Sequence, residues 1–172
     1  QVILEANPDY YGDAPRMQRV VILFMEEDAA FLAARTGQVD VAYTSATYSD
    51  QSVEGYTLTA YASVDNRGFN LPAVPAGTDE AGRTVGNDFT ADVRVRRAIN
   101  LGVDRQAMID HVLNGYGSPA YSVCDGLPWY NPASEVAYDP EGAAALLEEA
   151  GWALSGDGYR YKDGVRAELN LL

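Results

Sequence analysis

Two helical segments stand back to back in Asp92–Gly117, DVRVRRAINLGVDRQAMIDHVLNGYG, and this arrangement constrains the fold more than any other stretch. Thr90 can cap a helix over Ala91–Gly102, with Asp92 favourable in its first turn. Val95, Ala98, Ile99 and Gly102 then share its buried side, while Arg94, Arg96 and Arg97 reach solvent. Asp104 can cap a second helix, Arg105–Asn114, which Gly115 ends. Met108, Ile109, Val112 and Leu113 form its apolar stripe at helical spacing. A third helix is predicted in YDPEGAAALLEEAGW, Tyr138–Trp152, with Asp139 as cap and Pro140 at the first helical position. Ala143, Leu146, Leu147 and Ala150 face inward, and Gly151 ends it.

Strand signals flank these helices. Gln1–Glu5 is short and apolar, and NPDYYGDAP, Asn7–Pro15, is a loop. Val20–Met25, VVILFM, reads as a buried strand. Glu26–Arg35 is helical in composition, with Asp28 as N-cap and Gly37 just past its end. Val39–Tyr43 is a further short strand, completing a β-α-β unit of a parallel sheet. Thr44–Gly55 is polar and loop-like. Tyr56–Ala62 and Val64–Leu71 look extended. Pro72–Asp88 is a long surface loop of the kind that is often functional or mobile. Tyr116–Asn131 is irregular, aromatic and proline-containing, and Tyr159–Leu172 reads as a hairpin turned at Lys162-Asp163-Gly164.

The net charge of −13 sets this surface against phosphate backbones and anionic lipid headgroups, so nucleic-acid binding and a peripheral membrane role are not expected. Solubility accounts for such a charge; attraction of cationic ligands is a sharper reading that net charge alone does not establish. One cysteine, Cys124, permits no intramolecular disulfide and no all-cysteine zinc site. No apolar run reaches the ~18 residues of a membrane span.

Catalytic machinery is hard to assemble. His111 is the sole histidine, without a metal ligand or nucleophile at helical spacing. Cys124 and His111 form a thiol site only if the fold brings them together. Asp157-Gly158 and Asp163-Gly164 lack the calcium-loop spacing. Glu141, Glu148 and Glu149 lie on one solvated helix, whereas paired acid–base work needs carboxylates across a cleft. No phosphate-loop or dinucleotide glycine pattern occurs. Twelve tyrosines and two tryptophans are more suggestive, because these rings are rigid and carry a polar handle. Tyr121, Trp129 and Tyr130 share one irregular segment, where core packing and ligand contact both remain open.

NPDYYGDAP, GQVDVAY (Gly37–Tyr43), the Asp92–Gly117 segment and YDPEGAAALLEEAGW, in this order, resemble the peptide/nickel-type (family 5) extracellular solute-binding proteins of ABC transporters. The resemblance implies an α/β fold: an internal fragment of a two-lobed, periplasmic-binding-protein type II-like fold with mixed sheets flanked by helices. Residues 1–66 would belong to the first, discontinuous lobe. Residues 67–172 would form the hinge crossing, near NRGFN (Asn66–Asn70), and the N-terminal part of the second lobe. Pro72–Asp88 is longer than the usual link between these parts. The implied function is capture of oligopeptides or dipeptides by lobe closure, or of nickel chelates or another small solute, outside the cytoplasm, and delivery to ABC permease subunits. A monomer is expected, without a cofactor, held at the membrane only by the permease or a lipid anchor that this chain does not carry. No family motif transfers a binding residue onto this chain. Ligands of open α/β sheets bind beyond the carboxyl ends of strands, which selects Thr44 and Ser45 after Val39–Tyr43. The lobe crossing adds Asn66 and Arg67, and the aromatic segment adds Trp129. A hydrolase on a two-lobed α/β scaffold using Cys124 and His111 is the alternative of another class, and a peptide-sensing interaction module is a third.

Overall fold

A computed structural model describes residues 1–61 and 63–169, which group into two compact units, Gln1–Ala60 and Tyr61–Leu172. Ala62 and the last three residues of the expected C-terminal hairpin lie outside the described residues.

In the first unit, β1 (Val2–Glu5) pairs antiparallel with β2 (Arg19–Ile22), in the register Val2↔Ile22 to Glu5↔Arg19. The expected buried strand Val20–Met25 is corrected on both counts. The ladder stops at Ile22, and Phe24 is 75% exposed. Apolar β-branched composition predicts the extended conformation, but burial needs a covering layer. The stretch of helical composition forms α1 (Glu27–Arg35), with Glu26 at the N-cap. Asp28 is not the cap; it sits in the first turn, favourable to the helix dipole, and its carboxylate accepts from the Ala29 amide. The far end closes as expected. Gly37 takes φ +68°, Gln38 N donates to Ala33 O and Gly37 N to Ala34 O, the double bond of a Schellman motif. Val39–Tyr43 forms no strand, so the parallel β-α-β unit is absent. At its start the Tyr56 hydroxyl donates to the Val39 carbonyl.

The second unit is built on α2 (Val93–Gly102) and α4 (Pro140–Glu149), with α3 (Arg105–Val112) between them in sequence. Thr90 is fully buried and does not cap α2. Asp92 does, accepting from Arg94 N, because the Asn87 side chain already folds Phe89 and Thr90 into a preceding turn. Asp104 and Asp139 cap α3 and α4 as their spacing predicts, accepting from Ala107 N and Gly142 N. Val95, Ala150 and Trp152 form the core, with Phe89, Ile99, Leu147 and Ala167 packed against it. Phe89 meets Trp152 edge-on at 4.8 Å, the geometry that the ring quadrupoles favour. The α3 stripe is covered only in part: Ile109 is buried, whereas Met108 and Val112 are exposed.

Pro72–Asp88 is not a structureless loop. It holds the hairpin β3 (Gly77–Thr78) and β4 (Thr84–Val85), whose turn wraps Asp79: its carboxylate accepts from the Ala81 and Arg83 amides and pairs with the Arg83 guanidinium. Gly86 closes its base at φ +74°, where a Cβ would strike the Pro75 carbonyl. β5 (Ala153–Leu154), β6 (Arg160–Lys162) and β7 (Val165–Arg166) form a three-stranded antiparallel sheet. Asp163 (φ 51°) and Gly164 (φ 79°) both turn left-handed between β6 and β7, as a two-residue hairpin loop requires. Arg94, Arg160 and Lys162 donate to the Glu149, Trp152 and Ala150 carbonyls at the C-terminal end of α4, where cations complement the helix dipole. Tyr56–Tyr61 and Val64–Leu71 carry no ladder among the described residues.

Candidate functional site

The chain leaves α3 through Asn114 and Gly115, both at positive φ, and enters the irregular segment that carries Tyr121, Trp129 and Tyr130. Two charged side chains give this segment its form. The Arg105 guanidinium donates to the Ala120 carbonyl at 3.0 Å and to Asn100 O at 3.1 Å, and lies 5.0 Å from the Tyr121 ring centre. A cation in the first turn of α3 opposes the helix dipole, so its placement is explained by these contacts rather than by the helix. Asp125 accepts from the Tyr121 amide at 2.8 Å and from the Ser122 amide. Partial burial pushes the Asp125 carboxyl up, but the Ser122 and Tyr121 amides, with the Ser122 and Tyr130 hydroxyls, outweigh it and hold the group below its ordinary range. Cys124 N donates to Ser122 Oγ, Leu127 N to Cys124 O and Tyr130 N to Leu127 O. The Tyr130 hydroxyl donates to Glu135 at 2.9 Å, and burial together with that carboxylate raises its pKa. Trp129, on this braced loop, is 68% exposed.

The sequence-selected residues are spread over both units. In the first, Thr44 and Ser45 are half-buried neighbours. The Ser45 hydroxyl donates to Glu27 of α1 at 2.7 Å and also contacts the Thr47 hydroxyl. In the second, Asn66 Nδ2 donates to the Ser122 carbonyl at 3.4 Å, which ties the crossing segment to the aromatic loop. Arg67 is exposed. Asn66 and the Trp129 loop are thus brought together, and Arg67 is left in solvent. Sequence reasoning passed over Arg105 and Asp125 as loop braces. A lone arginine at a helix start, against the dipole, was the available signal for the first; none marked the second.

His111 is exposed and Cys124 half-buried, and among the described residues no hydrogen bond joins them. Nor is any group of three or more His, Cys, Asp or Glu side chains there placed to hold a metal ion. Shallow recesses of about 300 Å³ and 290 Å³ lie along the Ala6–Gln18 loop and along α1, and neither is lined by a candidate residue. Among the described residues no helix is long and apolar enough to cross a membrane.

A family model described as bacterial extracellular solute-binding proteins, family 5 Middle, matches residues 1–172. The chain belongs to this family. It is 35% identical to Protein XP55 of Streptomyces lividans, over 96% of this chain and 29% of that one. It is 31% identical to a putative ABC transporter peptide-binding protein of Brucella ovis, over 88% of this chain and 27% of that one. Identity to the nickel-binding periplasmic protein of Escherichia coli is 26%, over 96% and 32%. Among solved structures, NikZ of Campylobacter jejuni in complex with Ni(L-His) superposes with a TM-score of 0.69 at 23% identity, covering 95% of this chain and 32% of that one. NikA of Brucella suis in complex with Fe(III)-EDTA gives 0.66 at 27%, covering 95% and 33%. The family 5 chain therefore carries part of a type II periplasmic-binding-protein-like α/β fold, and spans about a third of the length of the relatives it matches.

Proposed function

We propose that the full-length protein containing this segment is the extracytoplasmic substrate-binding component of an ABC importer. It captures oligopeptides or dipeptides by lobe closure and delivers them to membrane permease subunits. Family membership over the whole chain carries this reading, and the Brucella ovis relative named for peptide binding supports its ligand class. On this reading residues 1–66 belong to the first lobe and 67–172 to the hinge crossing and second lobe. Thr44, Ser45, Asn66, Arg67 and Trp129 are the candidate ligand contacts, and the protein works as a monomer, anchored by lipid or recruited by its permease.

Nickel-chelate capture is the second reading, favoured by the Escherichia coli relative named for nickel binding. Within this segment the one histidine is exposed and cannot by itself form a protein-only nickel site. Thermal unfolding of the full-length protein against dipeptides, tripeptides and Ni(L-His) separates the two. A ligand at ~100 times its dissociation constant stabilises by about 2.7 kcal/mol. A peptide-dependent rise in Tm is expected; a rise with Ni(L-His) alone transfers the protein to the second reading, and no rise with either overturns both.

A further inference from the structure

We draw no further inference here: the strongest candidate, the side-chain cluster at the start of α1 where the Ser45 hydroxyl donates to Glu27 and meets the Thr47 hydroxyl, rests on a helix N-terminus whose hydrogen bonds run within the cluster, and no second observation there points to a ligand.

Discussion

Asp92 does two jobs with one carboxylate. It caps α2 through the Arg94 amide at 2.8 Å, and it meets the Arg94 guanidinium at 2.6 Å. The hydrogen bonds from the Arg94 side chain and amide pull its pKa from the ordinary 3.8 down to about 2. A depressed carboxyl stabilises the folded state fully above the unfolded value, and the contribution is lost as pH falls through the folded one. Asp92→Asn retains a good capping side chain but not the charge. We expect it to lower stability near neutrality by about 1 kcal/mol, since Arg94 stays about a third exposed and solvent screens the pair. The gap between the two proteins should shrink as pH falls from about 4 to about 2. Urea midpoints at pH 6 and pH 2.5 read this directly, and an equal gap at both would show that the ion pair is not its source.

Helix–helix packing between α2 and α4 depends on small residues. Ala143 is 7% exposed and Ala150 2%, and a Cβ on Gly102 would lie 3.5 Å from Ala143 Cβ. Ala143→Leu therefore has no void to fill and should cost about 1–3 kcal/mol through forced displacement. The chemical-denaturation midpoint should drop with an unchanged slope; an unchanged midpoint would mean that this contact has slack. These helices were legible in the sequence because their signals are local. Asp104 and Asp139 stand one residue before their helices, and Gly151 one beyond a capped end. Pairing is non-local, and there the reading failed. VVILFM has strand composition throughout, yet its ladder ends at Ile22, and Val39–Tyr43 has the same composition with no partner strand. The Thr90 error has the same origin, since only the fold shows Asn87 organising that turn and Val95 layering into a core. Of the candidate site, the aromatic segment was visible in composition, whereas its braces, Arg105 and Asp125, act through chain reversal that spacing does not reveal.

At the scale of the whole molecule, apolar burial is distributed unevenly. Among the described residues the first unit buries Ala33 and Ala34, both on α1. The second buries Thr90, Val95, Ala98, Ile109, Ala143, Ala150 and Trp152. Alanines contribute little apolar area, while Val2, Ile3, Leu4, Phe24 and Leu32 of the first unit remain exposed. A two-stranded ladder without a covered face is marginal in water. In this chain on its own, β1 and β2 amides should therefore exchange with deuterium at least about a hundredfold faster than those of α2 and α4, through local opening below the global transition. Site-resolved exchange at neutral pH measures both sets in one sample. The same exposed side chains should bind a hydrophobic dye while α2 and α4 remain protected, which separates local opening from a molten whole. Equal protection in both units would show instead that unfolding is a single cooperative event, and that the exposed β1–β2 face is held by contacts stronger than its burial implies.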